Sequence, residues 1–400
     1  MSTVDIEVGL SEEDIAIRDV AHKYAEEVLR PAGTEMDRMV DPADTIAPES
    51  PVWKVIEKYH EIGLGSLVFD AEMDPYRKAR LMAVVNEELA WGDVGLAITV
   101  GLSNFHQPWV EQTGDEALIE RFCDANKPTI GCWALTEPDH GSDTVALTEA
   151  AFSDPNLKAN CTATKDGNEY VIKGQKAAWV SNGPIADIAV LFCTLDQSQG
   201  FKGGGVFLVP LDLPGVQRPR PLDKLGQRSL NQGEVYFDDV RIPESHMALG
   251  PDLYAVGLEM MLAHANGGMG QIFVGIARAA YEHALAYAHE RVQGGVPIIE
   301  HQSVKSRLFK MFTKVEAARA LARRVAVFNA GGAPSIAHCI ASKTFITNTA
   351  FEVASDALQI FGGNGMSREY PMEKLIRDAR ASLIEDGCNE VLSIIGGARL

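Results

Sequence analysis

The sequence predicts an α+β protein whose elements run helical, then β, then helical, because its hydrophobic periodicity changes twice. Up to about residue 130, apolar residues recur at the spacing of amphipathic helices. From there to about 245, short β-prone runs are punctuated by glycine and proline, and beyond 245 helical spacing returns in longer segments. The chain therefore divides into an N-terminal helical domain over 1–130, a central small β-barrel or sandwich domain over 131–245, and a C-terminal four-helix bundle over 246–400. With 400 residues, 46% hydrophobic and 23% charged, it has the composition of a soluble globular protein with room for two or three domains.

The first helix is expected from Ser11 to about Leu29, where Ile15, Ile17, Ala21, Tyr24, Ala25 and Val28 share one stripe and Ser11 with the following acids offers an N-cap. Similar patterns predict helices over Pro51–Ile62, Tyr76–Trp91, Gly95–Asn104 and Glu116–Cys123, separated by turn clusters such as 41–44. Strands are expected over Tyr170–Gly174, Ile188–Thr194, Gly205–Pro210 and Glu234–Val240. The bundle is expected to comprise helices over about 253–293, 300–330, 334–361 and 371–396.

A net charge of -19 argues against a nucleic-acid partner, which needs a basic stripe to displace counterions. Six scattered cysteines show neither a C-x-x-C pair nor zinc spacing, so no metal is expected and a reducing cytoplasm fits. Met1–Glu7 lacks the basic and apolar regions of an export signal, and no run of about 18 apolar residues suggests a membrane span.

Motifs spread over the whole chain carry a family resemblance. Trp133-Ala-Leu-Thr-Glu-Pro-Asp-His-Gly-Ser-Asp143 is similar to a T-E-P-x-x-G-S-D loop, and Gly174-Gln-Lys-Ala-Ala-Trp-Val-Ser-Asn182 to a G-x-K-x-W-I-T-N strand, with one extra residue between Lys176 and Trp179. Lys224-Leu-Gly-Gln-Arg-Ser229 matches a K-x-G-x-R-S turn, and Gln359-Ile-Phe-Gly-Gly-Asn-Gly365 a Q-x-x-G-G-x-G loop. Arg377-Asp-Ala379, six residues and then Asp386-Gly-Cys388 resembles R-D-A followed by E-G-T. Together these resemble the FAD-dependent acyl-CoA dehydrogenases, with aspartate where the family's catalytic glutamate is usual. No G-x-G-x-x-G follows a strand near the N-terminus, which counts against a Rossmann dinucleotide site.

The resemblance implies roles residue by residue. Leu135 and Thr136 would bond the flavin pyrimidine, and Ser142 would lie near the cofactor phosphate or the CoA arm. Trp179 would cover the isoalloxazine, although a lone tryptophan is more often core. Ser181 would bring its hydroxyl to N5, with serine in place of the commoner threonine removing a methyl that restricts the rotamer. Arg291, Gln302, Gln359, Gly362 and Gly363 would reach the FAD of a neighbouring subunit, with Gly294 replacing an aromatic residue usual there. The implied function is abstraction of a proton by Asp386, with Glu385 as a neighbouring carboxylate, while hydride passes to the flavin and an enoyl-CoA forms. Electrons would go to an electron-transfer flavoprotein, and the assembly would be a homotetramer or a heteromer with a paralogue.

An aspartate shortens the base by one methylene, about 1.5 Å. Where the family commonly has L-D-x-x-R, this chain has Ala263 and Asn266, leaving a less charged pocket that His264 would fill in part. Gly95, Ala97 and Gly101 lie on the helix that resembles the floor of the acyl cavity. They suit either a branched or cyclic acyl group or close helix packing. Asp93 reads as an exposed helix acid or as a second carboxylate. Two alternatives stand beside dehydrogenation: a non-standard elimination, at a more distant carbon or without net oxidation, and a non-catalytic subunit of a heteromeric complex.

Overall fold

The computed structural model describes residues 6–125 and 127–400; Met1–Asp5, most of the stretch read for an export signal, and Asn126 lie outside the described residues. Helix α1 (Glu12–Tyr24) starts at Ser11, whose hydroxyl accepts the Asp14 N–H while the Asp14 carboxylate accepts the Ser11 N–H. The helical path does not stop near Leu29. It continues through a π-turn (Ala25–Leu29) into α2 (Arg30–Arg38), the wider turn accommodating Pro31, which has no N–H to donate. Then come α3 (Pro51–Glu61), α4 (Pro75–Gly92), α5 (Val94–Ser103), α6 (Gln107–Thr113) and α7 (Glu116–Phe122). Helix α6 was not foreseen, because two turns are too short to show a periodic stripe.

The chain then turns to strands: β1 (Gly131–Ala134), β2 (Thr162–Asp166), β3 (Glu169–Ser181), β4 (Ile188–Thr194), β5 (Gly204–Pro210), β6 (Val216–Gln217), β7 (Gln232–Pro243) and β8 (Met247–Leu249). Their order in the sheet is β6-β7-β3-β2-β4-β5-β8, with β1 parallel to β4. Strands β4 and β5 are buried at every position, which is why they read as unbroken apolar runs. Strands β1, β2, β6 and β8 escaped the sequence reading, being too short to show a pattern.

The C-terminal helices are α8 (Pro251–Glu290), α9 (Gln302–Asn329), α10 (Ile336–Phe361), α11 (Met372–Ala381) and α12 (Asn389–Gly397). Helix α8 packs on α9, α10 and also α4. Buried Glu87 of α4 secures that contact by pairing with Arg278, Arg319 and Arg323. Two expected segments differ from the observed helices. The first stops at Glu290, after which β9 (Val292–Gln293) and β10 (Val296–Pro297) form a hairpin through Gly294 and Gly295, both at positive φ. The last is broken at 382–388, where Asp386 (φ 52°) and Gly387 (φ 90°) adopt left-handed backbone that no α-helix can contain.

Candidate active site

The break between α11 and α12 presents the sequence-predicted base on a loop held from three sides. The Asn266 side-chain amide of α8 donates to the Asp386 carbonyl at 3.3 Å. From α10, the buried ammonium of Lys343 donates to the Gly387 carbonyl at 2.9 Å and to the Asn389 side-chain oxygen at 2.8 Å. From the T-E-P loop, the Ser142 hydroxyl accepts the Cys388 N–H at 2.9 Å. Burial pushes the Asp386 carboxyl above the ordinary aspartate range, and the Lys343 ammonium opposes that rise. Burial and the neighbouring Asp386 charge push Glu385 up to about 7. The Glu385 carboxylate accepts the Gln227 side-chain N–H at 2.7 Å, which ties the base loop to the β domain.

The R-D-A and K-x-G-x-R-S motifs form the support beneath this loop. Arg377 pairs with buried Asp37 at 2.7 Å, and Asp378 accepts the Gln227 backbone N–H. A Cβ on Gly226 would lie 2.2 Å from the Arg377 carbonyl oxygen, so only glycine lets the turn rest on α11. Asp93 is neither an exposed acid nor a free second carboxylate. It is buried at the N-cap of α5, accepts the Ser229 hydroxyl and pairs with Lys374, which also holds Asp378. A surface position was the wrong reading because the acid caps one helix while being covered by two others.

The β-domain face lies next to it. The Leu135 carbonyl accepts from Lys176, and the Thr136 carbonyl accepts the Ala177 N–H. Lys176 is fully buried and paired with Glu137 at 2.8 Å. The extra residue in this strand is absorbed by a bulge, where the β3–β7 register shifts between Lys176 and Val180. Trp179 lies within that irregular stretch and Ser181 just past it, and both stand on the side opposite buried Val180. The Trp179 indole is 57% exposed. Asn182 and Gln227 hold positive φ (61° and 48°), so three of the non-glycine residues with left-handed backbone, counting Asp386, surround this site.

Of the acyl-floor residues, Gly95 belongs to close packing, since a Cβ there would lie 2.3 Å from the Ser229 hydroxyl. Ala97 is buried, whereas Gly101 is exposed and a Cβ there would meet nothing within 4 Å. His264 does not fill the place of the missing charges: it is exposed, and its ring bonds the Met260 carbonyl of its own helix. Asn266 is completely buried, and its amide oxygen has no hydrogen-bond partner among the described residues.

Arg291, Gln359, Gly362 and Gly363 gather elsewhere, around a cavity of about 550 Å³ also lined by Arg307, His301 and Tyr287. A Cβ on Gly362 or Gly363 would meet nothing within 4 Å. Gln302 stands exposed in the first turn of α9, outside the lining of that cavity. Gln359 lies 16 residues beyond Lys343 on α10, roughly 24 Å along the axis at the helical rise. One chain thus holds two separated groups of predicted cofactor residues.

Sequence reasoning missed Lys343, Lys224, Gln227 and Gln232. The signal for Lys343 was a lone lysine within the apolar pattern of α10; Lys224 and Gln227 sat in a motif read only for its fold, and Gln232 lies three residues past it at the start of β7, with no motif to mark it.

Models of the acyl-CoA dehydrogenase N-terminal, middle and C-terminal domains match residues 11–125, 132–240 and 257–400. A short-chain specific acyl-CoA dehydrogenase of Megasphaera elsdenii is 32% identical over 388 residues, covering 95% of this chain and 96% of that protein. Cyclohexane-1-carbonyl-CoA dehydrogenase of Geobacter metallireducens is 28% identical over 390 residues, covering 96% of each. A solved structure described as the electron transferring flavoprotein of Acidaminococcus fermentans superimposes with a TM-score of 0.83 at 29% identity, covering 98% of both chains.

Proposed function

The chain belongs to the acyl-CoA dehydrogenase family, and on that footing we propose that it oxidises a branched or cyclic acyl-CoA to the enoyl-CoA with Asp386 as the base. It is an FAD-dependent oxidoreductase acting on CH–CH donors. The observation that carries the base assignment is the left-handed loop that holds Asp386 between Asn266, Lys343 and Ser142.

The residues present fit FAD. An exposed indole and a hydroxyl share one strand face at Trp179 and Ser181, a surface suited to a flat ring with a polar edge. At the second group, Arg291 and Arg307 supply guanidinium donors for a pyrophosphate, and Gly362–Gly363 leave backbone open to close approach. Bound FAD supplies the hydride acceptor. The separation of the two groups supports an assembly in which a second copy completes each cofactor site, within a homotetramer or with a paralogue.

In the proposed reaction the Asp386 carboxylate takes the proton from the carbon next to the thioester carbonyl, and hydride leaves the adjacent carbon. The burial that raises the Asp386 pKa makes its carboxylate a stronger base than one in water. In this reading the backbone N–H of the same residue polarises the thioester oxygen, an oxyanion-hole donor carried on the base loop. Asn266, completely buried, does not reach the CoA arm; it acts from behind by holding the Asp386 carbonyl. A shorter base favours a bulky acyl group, as does the relative named for cyclohexane-1-carbonyl-CoA. Electron-transfer flavoprotein is the proposed acceptor, and the cytoplasm the proposed compartment; among the described residues no helix is long and apolar enough to cross a membrane.

Anaerobic titration of the purified protein with straight, branched and cyclic acyl-CoAs tests this reading through the visible flavin absorbance. Bleaching by a branched or cyclic thioester is expected. Bleaching by straight chains alone contradicts the substrate class, and a flavin that no thioester reduces contradicts dehydrogenation.

A further inference from the structure

We propose that Gln232, oriented by Lys224, is the positioning residue that aims the Ser181 hydroxyl outward from the sheet as a hydrogen-bond donor to the flavin. Ser181 and Gln232 are direct partners across β3 and β7, so their side chains stand side by side on one face. The Gln232 Nε2 donates to Ser181 Oγ at 3.0 Å, and the Gln232 Oε1 accepts from Lys224 Nζ at 2.5 Å. The ammonium of Lys224 has only donors, so it must face the amide oxygen, and the orientation of the glutamine follows. With the amide N–H already pointing at Ser181 Oγ, the serine's own proton must point elsewhere.

This polarity survives titration of the lysine. Burial lowers Lys224 to about 7, with the Glu385 and Asp378 charges opposing the fall. Its two acceptors, Gln232 Oε1 and the Leu230 carbonyl at 2.7 Å, need only two N–H groups, which neutral and charged lysine both have. The arrangement also answers the missing methyl: a threonine limits its own rotamer by sterics, whereas Ser181 is held by a hydrogen bond from the neighbouring strand. The inference rests on the proposed approach of Ser181 to the flavin.

The test compares FAD-loaded Ser181→Ala, Gln232→Leu, Gln232→Glu and the double variant Gln232→Leu with Ser181→Thr. The flavin midpoint potential and visible spectrum are read without substrate, followed by the rate of flavin reduction. Ser181→Ala and Gln232→Leu are expected to move the potential in the same direction and to slow reduction roughly tenfold, the effect of losing about one hydrogen bond. Gln232→Glu keeps the Lys224 contact but turns the donor into an acceptor, so it is expected to reproduce the shift. Threonine at 181 is expected to recover most of the loss in the Gln232→Leu background. A potential that moves in Ser181→Ala but in neither Gln232 variant overturns the positioning role alone. Shifted Gln232 variants without rescue by threonine also overturn it. An unmoved potential in Ser181→Ala overturns both this inference and the placement of Ser181 at the flavin.

Discussion

The ammonium of Lys343 lies 2.9 Å from the carbonyl oxygen of Gly387, so the residue that follows Asp386 is held from within the bundle by α10. Lys343 is fully buried, and its charge is the one that opposes the upward shift of the Asp386 carboxyl. Lys343→Met leaves the Gly387 carbonyl without its ammonium donor and the Asn389 oxygen with only the longer contact from Thr347, which is expected to cost about 1–3 kcal/mol in denaturant unfolding. Removing the positive charge is also expected to move the pH profile of flavin reduction towards alkaline values. A destabilised variant with an unmoved profile would restrict Lys343 to a structural role.

The pH dependence of the wild type follows from the same shifts. A base works only when ionised, and burial raises the Asp386 pKa, so reduction is expected to rise with pH through a value above the ordinary aspartate range. Glu385, pushed up to about 7, ionises beside it and adds a like charge. Glu385→Gln is expected to remove the step near 7 while preserving turnover, as measured by single-turnover reduction across pH.

The buried pair Glu137–Lys176 supports the T-E-P loop, since the Glu137 carboxylate also accepts the Asn160 and Cys161 backbone N–H groups. Lys176→Met strands that charge in the interior and is expected to destabilise the protein by about 3–5 kcal/mol in chemical denaturation.

Trp179 presents the opposite case. With its indole 57% exposed, Trp179→Ala is expected to change unfolding stability by no more than about 0.5 kcal/mol. It should nevertheless weaken FAD retention, read from the flavin content after gel filtration and from the visible spectrum.

Much of this architecture was legible because it rests on local pattern. Strand β4 announces itself through the unbroken apolar run Ile188–Thr194, and α1 through its Ser11 cap. The break at 382–388 was not legible, because apolar spacing continues through Leu383 and Ile384 and only the left-handed backbone at Asp386 and Gly387 interrupts it. Lysine within a helical pattern ordinarily reads as solvent-facing. The burial of Lys343 depends on a carbonyl and an amide brought in from 44 and 46 residues away. The Gln232–Ser181 contact likewise depends on strand register, which motif spacing does not contain.

Anaerobic stopped-flow reduction of the bound flavin in Asp386→Asn, using a thioester that reduces the wild type, tests the base assignment most directly. The variant is expected to keep its FAD and visible spectrum while reduction slows by about 10²–10⁴-fold, the range for loss of a general base. Reduction at the wild-type rate would contradict the assignment of Asp386 as the base.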